Sequence, residues 1–170
     1  DIPTKEVLIS SSDINQRVQQ LGKEISEDYH GRELHLVGVL NGAFVFLADL
    51  VRQIDIPCQI CFLQASSYKN QKVSTGKVTL MHNLDLCGKD VLVVEDIFDT
   101  GLTLKYIMED LQQQKPKSLE ACALLNKQIP NKVPIAVKYI GFDIEDRFVV
   151  GYGLDFAEHY REFPHIACLD

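Results

Sequence analysis

Asp90-Val91-Leu92-Val93-Val94-Glu95-Asp96-Ile97-Phe98-Asp99-Thr100-Gly101-Leu102-Thr103 decides the fold. Val91 to Val94 is short, apolar and mostly β-branched, the pattern of a parallel strand covered on both faces. Beyond it, Leu104, Ile107, Met108 and Leu111 recur at i, i+3, i+4 and i+7, which predicts an amphipathic helix ending before Pro116. Thr100, Gly101 and Thr103 therefore fall where backbone N–H groups lack intrahelical partners and the helix dipole is positive, a setting that takes a phosphate. Glu95 and Asp96, just upstream, can accept hydrogen bonds from ribose hydroxyls. Asp99 is close enough to the phosphate cradle to act as a base beside an anomeric carbon. A plain strand, polar turn and capped helix would leave three carboxylates in five positions repelling one another without a cation or polyol to relieve them. In open α/β sheets that strand end is where ligands bind.

On either side, strands and helices alternate. Ser12 can cap a helix with apolar positions Ile14, Val18, Leu21 and Ile25, ending before Gly31. Strands are predicted from Leu34 to Leu40, from Pro57 to about Leu63, from Leu119 to Leu125, from Tyr139 to Phe142 and from Phe148 to Tyr152, with a helix from about Ala43 to Ile54. This alternation implies a largely parallel sheet. The polar stretch from Gln64 to Lys77 is long for a connection and reads as a mobile lid or an exposed hairpin.

The chain of 170 residues is long enough for one α/β core. With 17 basic and 24 acidic residues the net charge is −7, and no basic run appears, which argues against a nucleic-acid partner. No apolar stretch approaches the roughly 18 residues of a membrane span, and the polar segment Asp1 to Lys5 is no signal peptide. Five scattered cysteines suggest free thiols in the cytoplasm rather than a disulfide framework. Cys58 and Cys61 have CxxC spacing, but in a strand i and i+3 point to opposite faces. Gly151-Tyr152-Gly153 begins like a dinucleotide fingerprint, yet its sixth position is Phe156 and too little chain follows for a second strand.

The run from Glu95 to Thr103 resembles the signature of the purine phosphoribosyltransferases, above all the hypoxanthine-guanine type. The resemblance implies the type I phosphoribosyltransferase fold: an α/β architecture with a mostly parallel central sheet flanked by helices and a small hood formed by the chain-terminal segments, residues 1–170 making a single domain. It implies purine salvage, in which the 5-phosphoribosyl group of phosphoribosyl pyrophosphate (PRPP) passes to N9 of hypoxanthine or guanine, giving IMP or GMP and pyrophosphate. Glu95 and Asp96 would then hold the ribose hydroxyls, and Asp99, itself in contact with PRPP, would take the N7 proton of the purine. Thr100, Gly101, Leu102 and Thr103 would grip the 5′-phosphate. Family members often carry a basic residue where this chain has Leu102.

Other segments extend the resemblance. Asn41-Gly42 alone is a strong hairpin signal. In the family, however, a Leu-x-Gly loop after the first core strand binds pyrophosphate and often contains a cis bond, and Leu40, Asn41 and Gly42 match it, with Asn41 where Lys is common. Ser67 and Tyr68, after Ser66, match a catalytic loop that closes over the reaction and keeps water from an oxocarbenium-like transition state. Lys127 matches a donor to purine O6. Arg147, Phe148 and Val149 match a basic-aromatic-valine step that stacks on the base and bonds its edge through backbone groups. Asp155, beside the base, matches a ligand of a second Mg²⁺, and Arg161 a pyrophosphate-binding arginine.

PRPP is a polyanion facing Glu95, Asp96, Asp99 and Asp155, so Mg²⁺ is the expected cofactor, with Glu95, Asp96 and Asp155 as its carboxylates. A preference for xanthine, adenine or uracil, or a PRPP-binding regulator without catalysis, are the competing readings. Lys127 favours a 6-oxo over a 6-amino group, because an ammonium donates and cannot accept. Phe44, Val45, Phe46 and Leu47 spread apolar character over more than one helix face, which points to a homodimer or homotetramer.

Overall fold

The structure, a computed structural model, describes residues 6–67 and 78–170. In chain order, β1 (Glu6–Ile9) leads into α1 (Ser11–Asp28), followed by β2 (Leu34–Leu40), α2 (Phe44–Val51), β3 (Cys58–Ser67), β4 (Val78–Met81) and β5 (Asp90–Phe98). Then come α3 (Leu102–Gln112), β6 (Ser118–Lys127), β7 (Tyr139–Ile144), β8 (Val149–Val150) and β9 (Ile166–Cys168).

Ser10 rather than Ser12 caps α1. Its backbone is extended and its Oγ accepts a hydrogen bond from the Asp13 N–H at 3.1 Å. Ile14, Val18, Leu21 and Ile25 are all buried, as their spacing predicts. α2 stops at Val51, short of Ile54, because Gln53 and Ile54 donate to carbonyls three residues back and so tighten the chain ahead of Pro57.

The main sheet has the order β4-β3-β2-β5-β6-β7. β2, β3, β5, β6 and β7 run parallel, and β4 pairs antiparallel with β3. Alternate strand residues feed two cores. Leu34, Leu36, Leu92, Val94 and Leu124 pack with α1 and α2 on one face. Val37, Val39, Val91, Val93 and Ala123 pack with Leu104, Ile107 and Leu111 of α3 on the other. Cys58 borders the first core and Cys61 the second, so the CxxC pair is split across the sheet and both thiols are free. The polar stretch after Gln64 begins as a hairpin: Gln64 pairs with Met81 and Ser67 with Val78.

A second sheet, β1-β9-β8, joins the two ends of the chain. Its strands are three or four residues long or shorter, and neither β1 nor β9 was expected from the sequence. The strand expected from Phe148 to Tyr152 is only Val149–Val150. The chain then turns through Gly151, Tyr152 and Gly153, all at positive φ. Among the described residues no helix is long and apolar enough to cross a membrane.

Candidate active site

β5 extends past the apolar run Val91 to Val94. Glu95 and Asp96 lie within the strand, and only Asp99 stands in the bend beyond it. The β-strand therefore fixes the backbone of the acid pair. Both carboxyls are pushed above their usual range chiefly by burial, Glu95 well above it and further raised by the negative charge of Asp96. Asp96 Oδ1 also accepts from the Ile97 N–H at 2.8 Å.

Gly42 shows why a small residue is needed opposite this pair: a Cβ there would run into the Asp96 carboxylate. Asn41-Gly42 is not a hairpin. It joins β2 to α2, with Phe44 N–H donating to the Asn41 carbonyl at 3.3 Å, and the Leu40–Asn41 peptide is cis.

After Asp99 the chain enters α3 through Gly101, at φ 90°, a left-handed conformation that favours glycine. Thr100 Oγ1 accepts from the Leu102 N–H at 3.3 Å, and no side chain caps the helix at Gly101 itself. The first turn of an eleven-residue helix thus opens toward the carboxyl end of the sheet.

These pieces meet around a cavity of about 500 Å³. Of the residues singled out in the sequence, Leu40, Asn41, Gly42, Glu95, Asp96, Asp99, Thr100, Gly101, Leu102, Thr103, Asp155 and Arg161 all line it. Arg161 is held by its Nη1 donating to the Gly153 carbonyl at 2.7 Å, while Nη2 lies 3.2 Å from Glu158 Oε1 and 3.5 Å from Asp155 Oδ1. Asp155 Oδ2 accepts from the Glu158 N–H at 2.9 Å.

Other expected residues stand outside this lining. Ser66 borders the cavity, whereas the side chain of Ser67 and the whole of Tyr68 lie outside the described residues. Lys127 ends β6, not beyond it, and its Nζ sits 3.5 Å from Asp99 Oδ2 and 3.9 Å from Asp146 Oδ1.

Arg147 is turned to the hood, where it pairs with Glu6 and Asp170 at 3.0 Å each. That geometry makes it a tie between the chain ends. Phe148 is exposed and meets Phe156 edge to face, with ring centroids 5.7 Å apart. Val149 buries its side chain opposite Cys168. Leu169 N–H donates to the Phe148 carbonyl, so alternation leaves Val149 at a non-hydrogen-bonded position whose N–H and C=O point away from β9, at the sheet's edge.

Among the described residues no three His, Cys, Asp or Glu side chains converge as a metal cluster. Adjacent carboxyls, Glu95 buried and Asp96 partly buried on the cavity, still suit a hard cation that keeps most of its waters and takes further oxygens from a substrate.

Residues 10–157 match the model of the phosphoribosyl transferase domain family. The chain belongs to that family. It is 46% identical over 169 residues to a hypoxanthine-guanine phosphoribosyltransferase of Dictyostelium discoideum, covering 96% of this chain and 94% of that protein. A crystal structure of a hypoxanthine-guanine phosphoribosyltransferase from Bacillus anthracis superposes with a TM-score of 0.92 at 45% identity, covering 98% of this chain and 99% of the other. The hypoxanthine phosphoribosyltransferase of Trypanosoma cruzi, solved with its product IMP, superposes at 0.89 with 34% identity, covering 98% of this chain and 95% of the other.

Proposed function

We propose that the protein salvages purines by transferring the 5-phosphoribosyl group of PRPP to N9 of hypoxanthine or guanine, forming IMP or GMP and pyrophosphate. The observation that supports this most is the meeting of three segments, 40–42, 95–103 and 155–161, on one cavity at the carboxyl end of a parallel sheet. The α3 N-terminus takes the 5′-phosphate through backbone N–H groups and the hydroxyls of Thr100 and Thr103. Glu95 and Asp96 accept from the ribose hydroxyls, which add donors beside the Ile97 N–H that Asp96 already accepts. The 40–42 loop and Arg161 hold the pyrophosphate.

Lys127 donates to O6 of the base, and the outward N–H and C=O of Val149 meet its edge while Phe148 stacks on it. Asp99, beside Lys127, takes the N7 proton as N9 attacks C1′. Ser67 and Tyr68 close over the reacting centre. Mg²⁺ would be held by Asp155 and beside the Glu95–Asp96 pair, and when bound it neutralises pyrophosphate charge and eases its departure.

The same reading makes the protein a cytoplasmic homodimer or homotetramer. All five cysteines are free thiols, which suits a reducing compartment. Ile60, Phe62 and Met81 are large, exposed apolar residues, and the pairing of Gln64 with Met81 puts all three on one sheet face. A second subunit would cover them.

Pyrophosphate release tests the function, with PRPP and Mg²⁺ and hypoxanthine, guanine, xanthine, adenine or uracil offered separately, against a chelated control. Turnover of hypoxanthine or guanine that stops on chelation is the expected result. Turnover confined to another base, or none with any, would overturn it.

A further inference from the structure

The phosphate loop has no cationic side chain of its own: Thr100, Gly101, Leu102 and Thr103 offer only backbone and hydroxyl groups. Its grip on an anion therefore depends on how steadily the backbone is held. What holds it is the turn after β6. Lys132 Nζ donates to the carbonyl of Phe98 at 3.0 Å and also to Asn126 Oδ1, whose Nδ2 donates to Asp143 Oδ1 at 2.8 Å. The same ammonium lies 3.9 Å from the centre of the Phe98 ring.

One residue on, Val133 N–H donates to the carbonyl of Thr100 at 2.9 Å. Gly101 is enclosed between these two anchors, since a Cβ there would come within 2.7 Å of the Phe98 ring and 3.3 Å of the Val133 Cβ. The backbone carbonyls on either side of Asp99 are thus each tied to the 132–133 turn. Asn131 makes that approach by adopting φ 61°.

We infer that Lys132 is a positioning residue for the phosphoribosyl site: by fixing the Phe98 carbonyl, with Val133 fixing that of Thr100, it sets the orientation in which the 99–103 backbone meets the substrate's phosphate. The inference rests on the proposed transferase reading. Lys132 is not among the residues lining the cavity. Its ammonium is pulled below its ordinary pKa by burial, while Asp99 and Asp143 favour the charged form. The positive charge it keeps lies under a loop that has none. Binding of PRPP, rather than of the base, is the property it governs.

Steady-state kinetics with PRPP and hypoxanthine, each titrated against saturating partner, test this on the full chain. Lys132→Met should raise the KM for PRPP about tenfold, the size expected for one lost charge-assisted hydrogen bond. The KM for hypoxanthine should stay within about twofold, and Lys132→Arg should restore most of the loss. An unchanged KM for PRPP in folded Lys132→Met overturns the inference, and so does a lowered melting temperature without a change in that KM.

If Lys132→Met does not fold, Asn126→Ala removes the second acceptor of Nζ, together with the Asn126–Asp143 bond, and leaves Lys132 in place. It should raise the KM for PRPP a few-fold, and an unchanged value overturns the inference. The wild-type chain failing to turn over PRPP would instead count against the proposed function. The Lys132 comparison is then made by calorimetric titration of PRPP, where equal Kd for wild type and variant overturns the inference.

Discussion

Lys127 Nζ and Asp99 Oδ2 lie 3.5 Å apart, although the lysine ends β6 and the aspartate stands beyond the end of β5. Parallel pairing of Phe98 with Asn126 brings the two strand ends level, so this contact is built by sheet register rather than by loop flexibility. The lysine is largely buried and the carboxylate half exposed. The proposed donor to the base carbonyl and the proposed acceptor of the base proton are thereby set side by side.

Asp99→Asn should keep the loop geometry and remove the proton acceptor. We expect kcat to fall by about 10² to 10⁴ with the melting temperature unchanged. Single-turnover kinetics and a thermal melt check this, and a kcat within about threefold of wild type removes Asp99 as the base.

Gly42→Ala should be folded and nearly inactive. The added methyl meets the Asp96 carboxylate, so either the 40–42 loop or the acid pair must shift. A displacement of about 1 Å in a positioned site costs on the order of 10² in rate. Calorimetry with PRPP should show the loss as weaker binding, and unaltered binding would show that the loop does not contact PRPP.

Phe62→Glu should dissociate the proposed oligomer without unfolding the protomer. Phe62 is 46% exposed and its replacement puts a charge into an apolar strip that includes Ile60 and Met81. Sedimentation velocity should show a monomer. A variant that sediments as the wild type does would place the interface elsewhere.

Stability should decline in mild acid through His35. Both its ring nitrogens are buried without hydrogen-bond partners among the described residues, Nε2 lying 3.7 Å from Glu33 Oε1, and burial, with the charge of Lys89, lowers its pKa from 6.5. The unfolded chain therefore takes up a proton first as the pH falls. The stability due to neutral His35 is fully present above about pH 6.5 and is lost below it, down to the folded pKa. Urea midpoints measured from pH 7.5 to 5 should fall less steeply for His35→Leu than for wild type, and parallel slopes would remove His35 as the source.

The central strands and the loop that opens α3 were legible in the sequence because burial on both faces leaves an unbroken apolar run and a helix start leaves a small-residue loop. Glu95 and Asp96 hid the far half of β5, since acidic residues look like the end of a strand even where the backbone continues to pair. β1 and β9 were illegible for another reason. Strands of three or four residues carry too little pattern, and their partners are at opposite ends of the chain. Lys132 escaped notice because its role lies in a carbonyl of β5 that no sequence motif marks. Arg147 was misplaced by its neighbours: it sits beside Phe148 in sequence, but Glu6 and Asp170 draw it away.

The 40–42 and 95–103 segments proposed for PRPP are carried by β2 and β5, strands hydrogen-bonded on both sides, whereas Phe148, Val149, Asp155 and Arg161 all belong to the chain-terminal part that builds the three-stranded hood. The hood thus carries proposed contacts to the base and to pyrophosphate on one support. A substitution that shifts the hood should therefore change base choice and PRPP affinity in step, because the proposed base contacts and Arg161 move with it.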